Sequence, residues 1–475
     1  MTEGPTGVGP SAVIITPFPA GGDPVTRPRD RQRTVFVCQE CGHQSPKWLG
    51  FCPSPACGAN IPLVETSVAP PSDRRWFDAP GEPLQELSQL NPQDQQRIEL
   101  PCEELNRVLG GGLVAGSVAL LAGEPGVGKS TLLLQIAQLM AREGRAVLYI
   151  SGEESPHQIK LRAERLGFPG QGIFLLSETD VDRVVARLEE CRPALAIVDS
   201  VQTLYTQDAP SGPGSVVQVR ECGLRLTRWA KLRNVPIFLA GHVTKDGSLA
   251  GPRVLEHMVD VVMYLEGQDL NTYRLLRNSK NRFGSTTEVG VFEMTGHGLV
   301  EVPDPSQALL AHRAERAVGS ALVPVLEGTR PLLLEIQALT SRSMLPVPRR
   351  IANGVDHNRL LMLAAVASRR AGLELSGEDI IVSVAGGFRV SEPAADLAVM
   401  LAMASSLYNV PLDPNLVVLG EVGLSGELRP VSQVQRRLVE ASRLGLTRCI
   451  LPEMARGDFD PPSGVEAIFA GTLRQ

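Results

Sequence analysis

The residues with the clearest chemical potential lie in the segment GEPGVGKST, residues 123–131. Its glycines allow backbone N–H groups to approach phosphate oxygens. Lys129 can reach the β- and γ-phosphates of a nucleoside triphosphate, and the hydroxyl of Ser130 can bind Mg²⁺. We therefore predict an ATP- and Mg²⁺-binding phosphate loop made of Gly123, Glu124, Pro125, Gly126, Val127, Gly128, Lys129, Ser130 and Thr131.

A phosphate loop works between a strand and a helix, and the sequence supplies both. Residues 117–122 form an apolar run of strand length, and residues 132–140 have the periodicity of a buried helix. The alternation of further strands with helical segments predicts an α/β fold with a largely parallel sheet, whose ligands bind at the carboxyl ends of the strands. These further strands are predicted at residues 146–151, 195–199, 236–240 and 259–265.

Acidic residues follow two of these strands. Asp199 ends the apolar run LAIVD, which is typical of a carboxylate in the Mg²⁺ shell, although an acid here can also cap the next helix. Glu153 ends a neighbouring strand, where a carboxylate can orient or deprotonate the attacking water, and Glu154 is its rival. The predicted catalytic residues of this group are Lys129, Glu153 and Asp199, and the predicted Mg²⁺ ligands are Ser130 and Asp199.

Four cysteines cluster near the N-terminus in two pairs, and each pair is followed by glycine. Such pairs can place four thiolates tetrahedrally around Zn²⁺ and so fold a segment too small for its own hydrophobic core. The predicted Zn²⁺ ligands are Cys38, Cys41, Cys52 and Cys57, with His43 as a substitute ligand. The other four cysteines are scattered singly and are expected to be reduced thiols.

Polar and basic residues near the strand ends suggest contacts with phosphate groups. His242 or Thr244 can sense the γ-phosphate, with a structural histidine as the alternative. Lys245 and Arg253 are candidates for DNA contact, because their segment is rich in glycine and leaves a strand end near the nucleotide. Residues 203–218 form a second such segment. Both segments can equally be ordinary surface loops.

Lys280 and Arg282 lie two residues apart in RNSKNRFG. They therefore point to one side of an extended segment and can reach one phosphate together. Taken alone, the segment would be a generic basic turn.

Length and charge bound the remaining possibilities. The chain of 475 residues has a net charge of −6 and a pI near 5.8, so nucleic-acid binding must use local patches such as the arginines at positions 27–33, which can also be a solvated charge run. No apolar run reaches membrane-span length and no secretory signal is visible, so we expect a cytoplasmic, nucleoid-associated protein without a membrane partner. The predicted organisation is a disordered tail (1–33), a zinc finger (34–60), a linker (61–95), an ATPase domain (96–302), a connector (303–319) and a C-terminal domain (320–475).

Taken together, the cysteine finger, GEPGVGKST, YISGEES, AIVDS, GHVTKDG, AGPRVLEHMVD and SKNRFG resemble the RadA (Sms) family of bacterial DNA-repair ATPases. The resemblance runs from about Val35 to the C-terminus. It departs from the family in the wider spacing of the second cysteine pair and in the long N-terminal tail. The family implies a RecA-like P-loop ATPase core, in which the acid after the YIS strand is catalytic, and this favours Glu153.

The resemblance also implies an assembly and a use. KNRFG is the family signature, and its Lys280 and Arg282 would act catalytically by completing the ATP site of a neighbouring subunit. That implies a homo-oligomer, a hexameric ring threaded by single-stranded DNA. The implied activity is an ATPase stimulated by single-stranded DNA, acting as a helicase in branch migration of branched DNA together with the RecA recombinase.

The C-terminal third resembles the α/β proteolytic domain of Lon. An active site of that type needs a serine nucleophile and a lysine base. Ala394 and Gln435 stand at the two expected positions, so we predict an inactive protease, with Ser391 and Ser432 as weak alternative nucleophiles. Four arginines of this region are candidates for a positive surface or for a solvated helix face: Arg429, Arg436, Arg437 and Arg443.

Two rival functions follow from the same features. The first is an ATP-dependent protease of the Lon type. The second is a non-motor ATP switch that uses its finger to bind a protein partner.

Overall fold

The computed structural model describes residues 33–38, 43–54, 57, 62–68, 86, 97–209, 211–242, 252–267, 272–311, 313–314 and 316–475. Cys41, Thr244, Lys245, the tail to residue 32 and most of the predicted linker lie outside these residues, and the side chain of Arg253 is also not described. The chain divides into two compact units. Unit 1 comprises residues 1–265, 279–284 and 296–299, and unit 2 comprises residues 266–278, 285–295 and 300–475.

A small antiparallel sheet forms the finger of unit 1, with β1 (Arg33–Val37) between β2 (Gln44–Ser45) and β3 (Val64–Val68). The register pairs Phe36 with Ser45 and with Glu65. Cys38, Cys52 and Leu63 make up its buried cluster. Because β3 belongs to this sheet, the finger extends to Val68, into the segment that we predicted as linker.

Strands in the rest of unit 1 are β4 (Arg97–Ile98), β5 (Leu113–Val114), β6 (Val118–Gly123), β7 (Val147–Ser151), β8 (Ile173–Ser177), β9 (Leu195–Asp199), β10 (Ile237–His242) and β11 (Val261–Glu266). Its helices are α1 (Glu103–Leu109), α2 (Lys129–Arg142), α3 (Pro156–Arg165), α4 (Val181–Cys191), α5 (Val216–Arg233) and α6 (Pro252–Met258).

The central sheet of unit 1 is parallel, in the order β11–β6–β10–β9–β7–β8. Strands β6, β7 and β9 are buried along their whole length, which explains why each reads as a continuous apolar run rather than an alternating one. The predicted α/β class and all five predicted strands are confirmed. β8 was missed, although IFLLS after Gly172 is a short apolar run of the same kind.

Unit 2 begins with β12 (Tyr273–Asn281), whose last three residues belong to unit 1, and β13 (Val289–Thr295), which pairs with it in antiparallel fashion. β14 (Gly298–Glu301) also crosses the division between the units. Residues 266–278 and 285–295 thus belong to unit 2, whereas the sequence placed them in the ATPase domain.

The remaining strands of unit 2 are β15 (Ser320–Glu327), β16 (Arg330–Arg342), β17 (Arg350–Asn353), β18 (Glu378–Val384), β19 (Leu416–Val418), β20 (Glu421–Val422), β21 (Leu428–Arg429), β22 (Arg448–Pro452) and β23 (Glu466–Ala470). Its helices are α7 (Pro305–Leu310), α8 (His357–Val366), α9 (Asp396–Tyr408) and α10 (Val434–Arg443).

One mixed seven-stranded sheet, in the order β17–β18–β16–β15–β19–β22–β23, carries unit 2. Its core is formed by β15, β16 and β18 together with buried residues of α8, α9 and α10. Strands β15 and β16 form an antiparallel hairpin at the centre of this sheet.

Candidate nucleotide site and metal centre

The phosphate loop lies between β6 and α2, where the sequence predicts it. Gly126 and Gly128 have φ values of 81° and 114°, a backbone conformation that side chains with a Cβ rarely adopt. At Gly123 an added Cβ would lie 2.6 Å from the carbonyl oxygen of Leu265. These glycines are therefore required by the path of the backbone as well as by an approaching phosphate.

Lys129 is 4% exposed at the start of α2. Its Nζ donates hydrogen bonds to the carbonyl oxygens of Gly123 and Glu124, each at 2.9 Å. Burial lowers the pKa of Lys129, and the nearby carboxylates of Asp199 and Glu153 act in the opposite direction. The structure thus brings together Lys129, Glu153 and Asp199, three of the five residues that we predicted as catalytic.

Asp199 is buried at the end of β9, opposite Ser151 of β7. Its Oδ2 accepts a hydrogen bond of 2.7 Å from the hydroxyl of Tyr149. Burial and the Asp199 carboxylate raise the pKa of Tyr149 well above its usual value, so this hydroxyl stays a donor. The sequence analysis missed Tyr149, and the visible signal was a tyrosine inside the buried strand that leads to Glu153.

Glu153 and Glu154 have different partners. Glu153 Oε1 accepts a hydrogen bond of 2.5 Å from the Ser200 hydroxyl and lies 3.3 Å from His242 Nε2. Glu154 Oε1 instead accepts a hydrogen bond of 2.5 Å from the Arg162 guanidinium on α3. Of the two acids, only Glu153 is thus directed toward the ends of β9 and β10.

His242 ends β10, and its register partner is Gly123 at the start of the phosphate loop. Its carbonyl oxygen accepts a hydrogen bond of 3.4 Å from Gln202. The Nδ1 atom of His242 and the Oε1 atom of Gln202 are both buried, and neither has a hydrogen-bond partner within the described part of the chain. Two polar atoms that can accept new partners therefore lie at this edge of the sheet.

Lys280 and Arg282 contact the region where α6 leads into β11. Lys280 Nζ donates to the carbonyl oxygens of Glu256 and Val259 at 2.6 and 2.8 Å. Burial lowers the pKa of Lys280, and the neighbouring Arg282 lowers it further. Within one chain, this lysine therefore acts as a cap for the carbonyl groups at the end of α6.

Arg282 forms an ion pair with Asp260 at 3.1 Å and keeps a half-exposed side chain. Asp260 is 1% exposed, binds Lys231 at 3.0 Å, and accepts a hydrogen bond from the backbone N–H of Val118. The sequence analysis missed Asp260 because it lies in an apolar run that reads only as a strand. The buried carboxylate of Asp260 thus connects Arg282 to the first residue of β6.

Three of the four predicted zinc ligands meet in the finger. The Sγ atoms of Cys38, Cys52 and Cys57 all lie within 4.8 Å of one another, and those of Cys38 and Cys57 are 3.9 Å apart. Three thiolates at this separation match the ligand set of a structural Zn²⁺ site. Cys41, the fourth predicted ligand, lies outside the described residues.

Comparison with known proteins identifies the family. The chain is 46% identical over 443 residues to the DNA repair protein RadA of Bacillus subtilis strain 168, covering 92% of this chain and 96% of that protein. The protein of the same name from Listeria monocytogenes is 45% identical over 445 residues, covering 93% and 97%. The chain belongs to the RadA family of DNA repair proteins.

Family models match parts of this RadA-family chain. One described as "AAA domain" matches residues 83–248, and one described as "Subunit ChlI of Mg-chelatase" matches residues 354–455. Among solved structures, a KaiC-like protein from Pyrococcus horikoshii OT3 is 19% identical with a TM-score of 0.37, covering 44% of this chain and all of that one. The two family models and the sheets of units 1 and 2 confirm the predicted ATPase core and C-terminal α/β domain at the level of the fold.

Unit 2 of this RadA-family chain lacks the groups of a Lon-type active site. Ala394 is buried in a turn that precedes α9, whereas Gln435 is exposed on α10. Ser391 and Ser432 are exposed, and the sequence contains no lysine after Lys280. A serine–lysine pair therefore cannot form within residues 281–475.

The suggested positive surface of unit 2 is corrected by the structure. Arg437 is 1% exposed and binds both carboxylate oxygens of Glu392 at 2.7 Å, so it belongs to the interior. Arg443 pairs with Asp304 and Glu440, and Arg429 pairs with Glu427. Of the four arginines, Arg436 is exposed and has no acidic partner among the described residues. The acids Glu392 and Asp304 that bind Arg437 and Arg443 are distant in the linear sequence, whereas Glu427 and Glu440 are close to their arginines.

None of the helices in the described part of the chain combines the length and the apolar character needed to cross a membrane.

Proposed function

We propose that this RadA-family protein is an ATP-driven DNA motor whose hydrolysis is stimulated by single-stranded DNA. The observation that carries the proposal is the convergence of Lys129, Glu153 and Asp199 at the carboxyl ends of adjacent strands, beside a phosphate loop. Phosphoryl transfer needs positioned charge more than covalent chemistry, and this convergence supplies positioned charge.

In the proposed reaction, water attacks the γ-phosphorus in line, the bond to the β–γ bridging oxygen breaks, and ADP leaves as the products form. Lys129 neutralises charge on the β- and γ-phosphates, and Glu153 orients the water and accepts its proton. Mg²⁺, held by the Ser130 hydroxyl and by Asp199 through its water shell, would neutralise phosphate charge when bound. Tyr149 fixes the carboxylate of Asp199 by donating to one of its oxygens, which leaves the other oxygen for that shell.

We further propose that Lys280 and Arg282 act on the nucleotide of a neighbouring subunit in a homo-oligomeric, hexameric ring. The half-exposed guanidinium of Arg282 supports this, since its ion pair with Asp260 occupies one nitrogen. Lys280 would have to leave the carbonyl groups of α6 to take part. A mixing experiment tests the role: doping inactive Lys280→Ala subunits into wild type should reduce activity more than proportionally, and a strictly proportional loss contradicts it.

The proposed use follows from the family. We propose that the ring translocates on single-stranded DNA and drives branch migration of branched DNA in recombination alongside RecA, in the cytoplasm at the nucleoid. Lys245 and Arg253 are the proposed phosphate contacts. The decisive experiment measures the ATPase rate with and without single-stranded DNA, together with the oligomer mass under both conditions. An ATPase indifferent to DNA would indicate a non-motor switch, and digestion of casein would indicate a protease.

The finger is proposed to hold Zn²⁺ through Cys38, Cys41, Cys52 and Cys57. The three clustered thiols support this. The ion would cross-link a segment whose buried cluster is too small to fold it alone. A strong chelator should release one zinc per chain and unfold the finger. A purified protein that contains no zinc contradicts the assignment.

A further inference from the structure

The finger of unit 1 carries two large aromatic side chains on its surface. Trp48 is 61% exposed and Phe51 is 57% exposed, and they lie three residues apart in the segment KWLGFC. Between them, Leu49 turns inward to the cluster of Cys38, Cys52 and Leu63. Leu49 therefore faces the interior of the finger, whereas the rings of Trp48 and Phe51 face outward.

Leaving two aromatic side chains exposed gives up stability that a small domain could gain by burying them. Burying a large apolar side chain contributes about 1.5–3 kcal/mol, and a finger with three residues in its buried cluster has the most to gain from it. The two largest apolar side chains between residues 43 and 54 nevertheless face outward. Neighbouring exposed aromatic groups of this kind are typical of a binding surface.

Local contacts order the backbone before and between the two rings. The hydroxyl of Ser45 donates to the carbonyl oxygen of Lys47 at 2.7 Å and accepts from its backbone N–H at 3.2 Å, which fixes the turn before Trp48. The N–H of Leu63 donates to the carbonyl oxygen of Leu49 at 2.9 Å. A Cβ added at Gly50 would lie 3.7 Å from Trp48 Cη2, so the indole ring lies against this glycine.

A positively charged side chain, that of Lys47, lies next to the rings in the sequence. Lys47 is exposed and precedes Trp48 directly, and it is the one lysine or arginine between residues 34 and 60. The antiparallel register of β1 and β2 pairs Val37 with Gln44 and Phe36 with Ser45. Lys47 lies two residues beyond the end of β2 and directly before the first exposed ring.

We propose that Trp48 and Phe51 form a stacking platform for unpaired bases of single-stranded DNA, with Lys47 as a phosphate contact. Every base has an aromatic face, so stacking on two rings binds single strands without a sequence preference, and adjacent basic residues follow the phosphates. The occupant is single-stranded nucleic acid rather than a protein, because the exposed ammonium group of Lys47 directly precedes the first ring and suits a phosphate that follows a stacked base. The proposal rests on the proposed function, since it assigns the finger to the same DNA.

The test measures DNA binding by the full-length, zinc-loaded protein without ATP. The chain has three tryptophans, of which Trp229 is fully buried, so a Trp76→Phe background leaves Trp48 as the exposed reporter. Oligothymidylate should quench Trp48 fluorescence. The double variant Trp48→Ala with Phe51→Ala should bind oligothymidylate about tenfold more weakly or worse, given the effect of losing aromatic stacking.

Matched variants separate stacking from folding. Leu161→Ala removes an equally exposed apolar side chain on α3 and should bind DNA normally. Trp48→Phe keeps an aromatic face and should bind within about twofold of wild type. Zinc content reports whether each variant retains its finger. Unquenched Trp48, or normal DNA binding by the zinc-loaded double variant, overturns the proposal.

The two proposals fail separately. If wild-type ATPase ignores DNA while Trp48 is still quenched by oligothymidylate, the motor function is lost and the platform stands. If DNA stimulates the ATPase and the double variant binds oligothymidylate normally, the platform is lost and the motor stands.

Discussion

The charges at the phosphate loop of unit 1 and those beside Ala394 in unit 2 have different kinds of partner. In unit 1, the Lys129 ammonium is held by two backbone carbonyl oxygens, and Glu153 accepts a hydrogen bond from a serine hydroxyl. In unit 2, Glu392 forms a two-point ion pair with Arg437, and Asp396 forms one with Arg359. The first arrangement uses neutral partners, and the second uses opposite charges.

The difference bears on which of these charges can turn toward a ligand. A charge held by neutral groups can turn to a phosphate or a water without leaving an opposite charge behind. Breaking a buried ion pair costs about 3–5 kcal/mol, because the remaining charge is stranded. The acids that flank Ala394 are therefore parts of a scaffold, whereas the charges around the phosphate loop are free to serve a ligand.

The largest expected effect comes from replacing Lys129 in the phosphate loop. Lys129→Ala should lower the ATPase kcat by at least about 10³-fold, because no other cation in the loop can neutralise the phosphates. Lys160→Ala on exposed α3 is the matched control and should retain wild-type turnover. A Lys129→Ala protein with full ATPase activity would defeat the nucleotide-site assignment.

The next largest effect separates the two adjacent acids. Glu153→Gln should lower kcat by about 10²-fold or more while ATP still binds, since the amide cannot accept a proton from water. Glu154→Gln should change kcat by only a few fold, because Glu154 is engaged by Arg162. Steady-state rates combined with binding of a fluorescent nucleotide distinguish them. Equal losses in both variants would remove the geometric distinction.

In unit 2 the expected effect is on stability. Arg437→Met should destabilise unit 2 by about 3–5 kcal/mol, because it leaves the Glu392 carboxylate without its cation. Arg436→Met, one residue away and exposed, should change stability by less than about 0.5 kcal/mol. Urea denaturation followed by circular dichroism provides the measurement. Similar curves for the two variants would show that the Glu392–Arg437 pair does not hold the unit together.

The last prediction is that restoring a serine and a lysine at positions 394 and 435 creates no proteolytic activity. Introducing Ala394→Ser with Gln435→Lys should produce no digestion of casein. Residue 435 is exposed, so a lysine there would keep its usual high pKa and could not act as a base. Wild type is the control for background cleavage. New proteolysis by the double variant would mean that unit 2 retains a usable catalytic geometry.

Local patterns predicted much of this molecule. The phosphate loop, the buried parallel strands, the paired cysteines and the missing serine and lysine are set by residue type and short spacing. Those properties act over a few residues and can be seen in the linear chain. The sequence therefore determined the fold class and the chemistry available at the nucleotide site.

Tertiary structure decided which charges are available. Glu153 and Ser200 are 47 residues apart, Tyr149 and Asp199 are 50 apart, and Glu392 and Arg437 are 45 apart. The choice between Glu153 and Glu154, and the burial of Arg437, depend on these distant partners. No short-range pattern encodes them, because a side chain's charge is assigned to a ligand or to a neighbour only when remote segments meet across a sheet or a helix.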